Sequence, residues 1–388
     1  MNNKTKLIRI TTVPMSLKHL IKGQMLFMSK NGFDVTMISA DGQEIQDVIN
    51  NEECKHIAIP LTRKITPIQD LKAVLKLYQF LKKEKPFIVH THTPKAGIVG
   101  MLASYFAKVP NRLHTVAGLP LLEATGLKRK VLNAVEKITY NCATNVYPNS
   151  YGLKNIILDN RFTNKEKLKV IGNGSSNGID TSYFDPELFS IKDKEDLKTN
   201  LGITNTDFVF IFVGRIVSDK GMNELVSAFE KLSTENKKVK LLLVGPFEEE
   251  LDPLQEKTKT TIKNNKQIIS VGYQNDVRPY FAIANALAFP SYREGFPNVV
   301  IQAGSMSLPS IVSDINGCNE IIVNGENGII VPVKNISALK KGMQRLFEDI
   351  SLFLKLKSNS RSLIAARYEQ DLVWRAILDE YKKLLNEK

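Results

Sequence analysis

The chain has 388 residues, which exceeds one ordinary domain and gives two domains room for sizeable hydrophobic cores. Hydrophobic residues make up 43% and charged residues 24%, a balance that is typical of globular proteins and excludes a disordered chain. The net charge of +13 lies entirely in residues 1–180, which hold 26 Lys and Arg against 13 Asp and Glu, because residues 181–388 hold 27 of each kind. This asymmetry predicts that the first half meets an anionic partner, and a basic face kept only for solubility is the alternative.

The cysteines and the first residues indicate where the protein works. Cys54, Cys142 and Cys318 lie far apart and match neither zinc spacing nor a disulfide framework, so we expect a cytoplasmic protein. The opening sequence MNNKTKLIRITTV leads directly into a strand pattern and has no signal-peptide core. No apolar run approaches the roughly 20 residues that a membrane-spanning helix needs.

Short runs rich in Val and Ile, each followed by a helical pattern, predict strands along the whole chain. In the first half they are Leu7–Thr12, Asp34–Ser39, His56–Pro60, Phe87–Thr91, Arg112–Val116, Asn145–Pro148 and Leu168–Ile171. In the second half they are Phe208–Val213, Lys240–Val244, Ile268–Val271, Ala286–Phe289, Ser310–Ser313 and Gly328–Val331. Runs such as VFIFVG are apolar on both faces, which is typical of parallel strands covered by helices on each side.

This alternation predicts an α/β protein with two doubly wound, Rossmann-like domains. The charged, Pro-broken stretch 180–205 separates the two series of strands, so we assign residues 1–180 to the first domain and 181–370 to the second. The amphipathic helix 371–387 has no strand after it and is expected to pack back on the first domain. Ligands of such sheets bind beyond the carboxyl ends of the strands, so two domains that face each other would form a cleft.

The loop after the strand VFIFV carries two cations between glycines. Arg215 and Lys220 follow Gly214 and precede Gly221. A guanidinium binds phosphate oxygens in a fork, an ammonium acts as a point charge, and the glycines allow a ligand to approach the backbone. The loop therefore predicts a phosphate site, and two surface cations on a turn are the alternative.

A second loop, SYREGFPN, follows the strand ALAF and opens a helix. Pro297 suits the first helical turn, whose free amides form an anion site. Glu294 can accept hydrogen bonds from sugar hydroxyls, and Gln302 lies one turn past Asn298 on the same helix face. The alternative is that Glu294 only complements the helix dipole.

The pair GRIVSDKG and SYREGFPNVVIQAG resembles the donor site of family-4 retaining glycosyltransferases of the GT-B fold. The resemblance implies that Arg215 and Lys220 bind a donor diphosphate and that Glu294 lies near the transferred sugar, so these three are the expected catalytic residues. Gln302 replaces the second glutamate of the family's E-x7-E motif, so its contact with ribose is to a neutral acceptor and weaker. The implied donor-binding residues are Gly214, Tyr273, Gly295, Phe296, Pro297, Asn298, Val299 and Gln302.

The first half also resembles this family, in particular its bacterial members that build surface polysaccharides and lipid-linked oligosaccharides. The segments TVPMSLKHLIKG, HTHTPKAG and NGSSNGID match it in position, and the implied acceptor-side residues are Lys18, His92, Lys95 and Gly118. Ala117 stands where many relatives carry a cleft histidine. His114 lies three residues earlier, where a half-buried structural histidine is favoured over a catalytic one. His90 and His92 share a strand face, but no third ligand accompanies them, so we expect no metal site.

The resemblance implies a retaining, metal-independent transfer from a nucleotide diphosphate sugar, with UDP as the expected nucleotide, to a lipid-linked glycan. It implies no cofactor, since the nucleotide sugar is a substrate. An epimerase or hydrolase of the same fold remains an alternative. So does a nucleic-acid-binding protein, although the basic stretches lack interleaved aromatic residues, and we expect no nucleic-acid partner. A dehydrogenase is excluded because no G-x-G-x-x-G follows the first strand.

The segment Gly118–Ile138 suggests a peripheral contact with an anionic membrane at the inner face of the cell membrane. An apolar stretch, Leu119–Leu122, precedes a helix that opens with Lys128, Arg129 and Lys130. Apolar residues beside cations are typical of interfacial anchors. The alternative is that the leucines pack inside the domain and the cations are solvated.

Overall fold

The computed structural model describes residues 4–248 and 252–387 and divides the chain into two compact units. Unit 1 consists of Met1–Gly178 and Gln370–Lys388, and unit 2 consists of Ile179–Glu369. The sequence predicted a domain boundary after residue 180, and the two units divide close to that position, between Gly178 and Ile179. Within the described residues, no helix is both long enough and apolar enough to cross a membrane.

Unit 1 contains six parallel strands in the order β3-β2-β1-β4-β5-β6. The strands are β1 (Thr5–Ile10), β2 (Phe33–Ser39), β3 (Lys55–Ala58), β4 (Ile88–His92), β5 (Asn111–Val116) and β6 (Asn145–Pro148). Its helices in the first part of the chain are α1 (Pro14–Leu20), α2 (Gln24–Lys30), α3 (Ile45–Glu52), α4 (Pro67–Glu84), α5 (Pro94–Phe106), α6 (Gly126–Cys142) and α7 (Tyr151–Asp159).

Unit 2 repeats the same arrangement, with six parallel strands in the order β12-β11-β10-β7-β8-β9. The strands are β7 (Phe208–Val213), β8 (Val239–Val244), β9 (Ile268–Ser270), β10 (Ala286–Phe289), β11 (Ser310–Ser313) and β12 (Gly328–Val331). The helices are α8 (Ile191–Asn200), α9 (Met222–Glu235), α10 (Glu256–Asn264), α11 (Arg278–Ile283), α12 (Asn298–Ser305), α13 (Cys318–Ile321), α14 (Ile336–Glu348) and α15 (Ile350–Tyr368).

The last helix, α16 (Gln370–Asn386), packs in the core of unit 1. Strand β1 shows how that core is divided, since Ile8 faces one apolar cluster and Leu7 faces the other. Alternate residues of a strand point to opposite faces, so both faces of the sheet are covered. The apolar stripe of α16, with Val373 and Ile377, lies in the same cluster as Leu7.

One predicted strand is wrong. Leu168–Ile171 forms only an isolated bridge between Leu168 and Val146, with the Lys169 amide donating to the Val146 carbonyl at 3.1 Å. A short 3-10 helix precedes this stretch, and Gly172 follows it with a φ of 58°. The backbone therefore turns away on both sides before a ladder can form, although the composition is that of a strand.

A close backbone approach fixes the turn before α9. Gly221 has a φ of 70°, and a Cβ atom there would lie 2.0 Å from the Pro290 carbonyl oxygen, at the end of β10. The left-handed conformation and the missing side chain are both needed, because any other residue would push two loops apart.

We predict that Gly221→Ala lowers the free energy of unfolding by about 3 kcal/mol, the sum of left-handed strain and a backbone clash. The matched control is Gly202→Ala, because Gly202 has a φ of 66° and a Cβ atom there would have nothing within 4 Å. The control should cost only about 1 kcal/mol. Urea unfolding of both variants measures the difference, and equal losses would show that the approach to Pro290 is no constraint.

Candidate active site

The strand order places a ligand position at the centre of each sheet. In unit 2, β7 and β10 are neighbours, with Leu287 opposite Ile211, yet the chain leaves β7 toward β8 and leaves β10 toward β11 on the other side. Loops that diverge from adjacent strands open a crevice beyond their carboxyl ends. The two motif loops of unit 2 begin there, after Val213 and after Phe289.

The loop after β7 is a tight turn with two left-handed glycines. Gly214 has a φ of 148°, and its carbonyl oxygen lies so close to Gly245 that a Cβ on Gly245 would approach it to 1.8 Å. A short 3-10 helix, Ser218–Lys220, then leads into Gly221 and α9. Glycine is therefore required where β7 and β8 end side by side, and the turn directs Lys220 toward the loop after β10.

Lys220 and Glu294, 74 residues apart in sequence, form an ion pair at this crevice. The Lys220 ammonium lies 2.5 Å from Glu294 Oε1, and the Ser291 hydroxyl donates to the same oxygen at 2.9 Å. Both ionic side chains are about 15% exposed. The fold thus brings together the cation and the carboxylate that the motifs predict for one site.

Three further contacts hold the two motif loops in register. Arg293 Nη2 lies 2.9 Å from Asp219 Oδ2, and the Tyr292 amide donates to the Asp219 carbonyl at 2.9 Å. The Tyr292 hydroxyl donates to Glu224 on α9 at 2.6 Å. Burial raises the pKa of Asp219, and burial together with the bond to Glu224 raises the pKa of Tyr292. Sequence reasoning missed these residues because their pairing crosses from one loop to the other.

Arg215 is more exposed than Lys220, with 43% of its side chain accessible, and forms an ion pair with Glu248 at 2.8 Å. The hydrogen bond to Glu248 is the main cause that raises the pKa of Arg215. Glu248 was also missed from the sequence. Its position in the loop after β8 could have indicated it. Strand β8 pairs with β7 in parallel, so the loops after both strands lie at the same edge of the sheet.

The expected donor-binding residues after β10 lie around the start of α12. The helix begins at Asn298, so Pro297 is its N-cap rather than a residue of the first turn, because its ψ of 104° is extended. Phe296 is buried and its ring packs edge-on against Tyr368 at 5.2 Å. Gly295, Val299 and Gln302 are partly exposed, and the side-chain amide of Asn316 donates to the backbone carbonyl of Glu294. Phe296 therefore anchors the loop rather than offering its side chain to a ligand.

Tyr273 lies apart from this cluster, in the loop after β9, with 67% of its surface exposed. The Gly245 amide donates to the Gly272 carbonyl at 2.8 Å, which connects this loop to the one after β8. Tyr273 is thus at the carboxyl edge of the sheet but at its outermost strand, two strands from β7.

Unit 1 has an equivalent crevice between β1 and β4. The hydroxyls of Thr12 and Thr93, which follow these strands, lie 2.7 Å apart. Two of the expected acceptor-side cations lie near this edge and are paired, Lys95 with Asp70 on α4 and Lys18 with Asp47 on α3 at 2.8 Å.

A third acceptor-side residue, Gly118, follows β5, and a Cβ atom there would meet no atom within 4 Å. It lies beyond a strand that neighbours β4, so it belongs to the same carboxyl edge of the sheet. Lys95, Lys18 and Gly118 therefore share this edge, whereas the fourth predicted residue, His92, does not present its ring there.

The fourth residue, His92, is buried together with His90 of the same strand and His114 of β5. Arg9 Nε donates to His92 Nε2 at 3.1 Å, His90 bonds Tyr381 and Thr115, and His114 bonds Thr91 at 2.8 Å. Burial lowers the pKa of all three rings, that of His114 to about 4. In residues 4–248 and 252–387, no three His, Cys, Asp or Glu residues are grouped to hold a metal ion.

Two leucines of the apolar stretch that was expected to touch a membrane are buried. Leu119 and Leu121 are 4% and 1% exposed and fill the core beside α5 and α6, so this part of the expectation is wrong. Arg129 is also held inside unit 1, where it donates to the Leu121 carbonyl at 2.9 Å. Lys128 and Lys130 remain exposed on α6.

Comparison with known proteins decides the family. A family model described as glycosyl transferases group 1 matches residues 193–363, and one described as glycosyl transferase 4-like matches residues 14–150. The capsular polysaccharide biosynthesis glycosyltransferase CapM of Staphylococcus aureus is 34% identical over 382 residues, which cover 98% of both proteins. The chain belongs to this glycosyltransferase family. The predicted family is confirmed.

Other relatives extend this result. A UDP-Gal:alpha-D-GlcNAc-diphosphoundecaprenol alpha-1,3-galactosyltransferase of Escherichia coli is 28% identical over 94% of this chain and 93% of its own. A glycosyltransferase structure from Rickettsia africae has a TM-score of 0.81 at 21% identity over both full chains. HepE of Anabaena, in complex with UDP, has a TM-score of 0.80 at 18% identity, covering 98% and 100% of the chains. The glycosyltransferase therefore has the expected GT-B fold, with two parallel sheets.

The buried histidines predict acid sensitivity. A histidine whose folded pKa is lowered binds fewer protons in the folded state than in the unfolded state, so stability falls as pH drops below about 6.5. For His114 the loss between pH 7 and pH 5 is on the order of 2 kcal/mol. We predict that His114→Asn, whose amide can keep the bond to Thr91, removes this part of the pH dependence. Urea unfolding at both pH values measures it, and an unchanged difference between wild type and variant would contradict a neutral His114.

Proposed function

We propose that this glycosyltransferase moves a hexose or N-acetylhexosamine, with retention of configuration, from a UDP-sugar to a lipid-linked glycan during surface polysaccharide synthesis. The observation that carries the proposal is the Lys220–Glu294 pair at the carboxyl ends of β7 and β10. This pair puts a cation that can bind the diphosphate beside a carboxylate that can bind the sugar. Both lie at the crevice beyond the carboxyl ends of the two central strands, where ligands of such sheets bind.

The donor side is supported by position and by similarity. HepE, which shares the fold, binds UDP, and the Escherichia coli relative uses UDP-Gal. In this chain Arg215, Lys220 and the amides at the start of α12 would bind the diphosphate, and Glu294 would accept hydrogen bonds from the sugar. Gln302, one helical turn into α12, would contact the ribose as a neutral partner.

The acceptor side rests on the relatives. The Escherichia coli enzyme acts on an undecaprenyl diphosphate-linked sugar, as does an N-acetylgalactosaminyltransferase of Campylobacter jejuni, and CapM works in capsule synthesis. The proposal therefore places the protein at the inner face of the cell membrane, in peripheral contact with anionic lipid. Nucleic acid is not among the proposed partners.

The proposed chemistry needs no cofactor and no metal ion. Two cations and helix-terminal amides stabilise the departing diphosphate, which is the task a divalent cation performs in other transferases. As the bond between the sugar and the diphosphate breaks, the acceptor hydroxyl forms the new bond on the same face. Its proton passes to an oxygen of the leaving diphosphate, so charge and atoms balance.

A transferase is distinguished from a hydrolase or epimerase by its need for acceptor. Release of UDP from a UDP-hexose should require the lipid diphosphate glycan and should stop when the glycan is left out. Steady hydrolysis or interconversion of the sugar without acceptor would overturn the proposed reaction.

We predict that Lys220→Ala lowers kcat by about 10²–10³, as expected for loss of one preorganised charge donor. The melting temperature without ligand should fall, because the mostly buried Glu294 carboxylate loses its partner, and the stabilisation by UDP should be largely lost. Sugar transfer and thermal shift with UDP measure the two effects.

The matched control is Lys340→Ala. Lys340 forms an ion pair of the same length, 2.5 Å, with Glu235 on the helices α14 and α9 of unit 2. This variant should retain both turnover and the response to UDP. Near wild-type turnover in Lys220→Ala would remove Lys220 from the donor site.

We also predict that sugar transfer survives treatment with EDTA, because Arg215, Lys220 and the amides of α12 carry the diphosphate charge. Rates before and after chelation are compared at equal ionic strength. A loss that Mg²⁺ or Mn²⁺ restores would contradict the metal-independent mechanism.

A further inference from the structure

Large apolar side chains are exposed together at the start of α4 in unit 1. Ile65 is 64% exposed, Ile68 77%, Leu71 61% and Leu75 54%. Ile68, Leu71 and Leu75 follow one another at spacings of three and four, so they form one stripe on the helix. We call Ile65 and this stripe the α4 patch.

The α4 patch is additional to the apolar face that α4 uses for folding. The buried stripe of the helix consists of Ala73, Leu77 and Leu81, which lie in the core of unit 1. At 100° per residue, Leu75 points away from Leu77 by about 160°. The helix therefore carries two apolar faces, and among the described residues of unit 1 only the face with Ala73, Leu77 and Leu81 is buried.

The patch is bordered by cations. Arg63, Lys64, Lys72 and Lys76 are all exposed, and none of the four has an ion-pair partner among the described residues. Asp70 is the one acidic residue between positions 61 and 83, and Lys95 neutralises it. Apolar residues beside unpaired cations suit a surface that is both apolar and anionic.

The position of the patch relates it to the acceptor side of unit 1. Helix α4 follows the carboxyl end of β3, so its first turns lie at the carboxyl edge of the sheet. The segments that carry Lys18, Lys95 and Gly118, which we call the acceptor-side loops, follow the carboxyl ends of β1, β4 and β5 at the same edge. Asp70 in the first turn of α4 forms an ion pair with Lys95 in the first turn of α5, so the start of α4 contacts an acceptor-side residue directly. Lys95 follows β4 by only a few residues.

We propose that the α4 patch docks unit 1 onto an anionic lipid bilayer and so presents the acceptor-side loops to a substrate held in that bilayer. The four apolar side chains enter the boundary between headgroups and acyl chains, and the cations contact lipid phosphates. A second copy of the chain is disfavoured as the occupant, because a symmetric contact would place these cations opposite one another. This inference rests on the proposed function for its lipid-linked acceptor.

The surface replaces the one that the sequence suggested on α6. There Leu119 and Leu121 are buried, and Arg129 is held by bonds inside unit 1. Helix α6 exposes three large apolar side chains, those of Leu127, Val131 and Ile138, and the last two are less exposed than any of the α4 patch. The α6 residues serve as a comparison in the test.

The experiment is co-sedimentation of the full-length protein with vesicles of phosphatidylglycerol and phosphatidylcholine, or of phosphatidylcholine alone, at low and high salt. Wild type should bind the anionic vesicles, and high salt should weaken binding, since exposed charges are screened. Ile68→Ser/Leu71→Ser/Leu75→Ser should lower the partition coefficient at least about 10-fold. Lys72→Glu/Lys76→Glu should lower it at least about 10-fold on anionic vesicles, because each cation near such a surface contributes about a 5-fold factor.

The matched control is Ile350→Ser/Leu354→Ser, which removes two apolar side chains that are 63% and 55% exposed on α15 of unit 2. It should bind as wild type does. Wild-type binding by the α4 variants, loss of binding only in Leu127→Ser/Val131→Ser, or equal loss in the α15 control would each overturn the assignment. So would a wild-type dimer that the α4 variants convert to a monomer, because the patch would then be a subunit interface.

Thermal shift with UDP is measured on every variant. If lipid binding by the α4 variants is unchanged while UDP still stabilises the protein, the docking surface is wrong and the proposed donor site stands. If the α4 variants lose lipid binding but UDP has no effect on any protein, the docking surface stands and the donor proposal fails.

Discussion

Both units are organised by one constraint, the strand order 3-2-1-4-5-6 in a parallel sheet. Right-handed crossovers then send the chain outward from the two central strands in opposite directions, which leaves a crevice beyond their carboxyl ends. In unit 2 the crevice lies between β7 and β10 and contains Lys220 and Glu294. In unit 1 it lies between β1 and β4 and contains the bonded pair Thr12 and Thr93.

The crevice of unit 2 depends on two loops that approach each other closely. Gly221 allows α9 to start against the Pro290 carbonyl, and the contacts of Asp219 with Arg293 and Tyr292 keep the loops aligned. The Lys220–Glu294 pair depends on that alignment, because its two members lie on different loops, although Ser291 also helps to position Glu294 from within its own loop. Rigid loops matter for a transferase, since charge donors stabilise a leaving group best when they are already in place.

Unit 1 has a different distribution of polar groups. The three histidines of β4 and β5 are buried and neutral, and the last helix, α16, contributes Tyr381 to the bonds that hold Arg9 and His90. These groups therefore serve packing rather than ligand binding at the surface. The exposed residues of unit 1 that could bind a partner are the basic residues and the apolar side chains at the start of α4. The net charge of the first half of the chain and the α4 patch fit the same kind of partner, an anionic lipid surface.

The sequence by itself determined the strands, the alternation with helices and the two motif loops, because each of these is a pattern within a short stretch of chain. Hydrophobic periodicity predicted twelve of the strands, and glycines with cations at strand ends predicted the phosphate loop. The same local reasoning failed at Leu168–Ile171, where flanking turns prevent pairing, and at Leu119 and Leu121, whose burial depends on the packing of α5 and α6. Only the tertiary structure decided that Glu248 pairs with Arg215, that Arg293 pairs with Asp219 and that α4 has a second apolar face that stays exposed. These features join residues that are distant in sequence, or depend on which face a helix buries, and no local pattern encodes that choice.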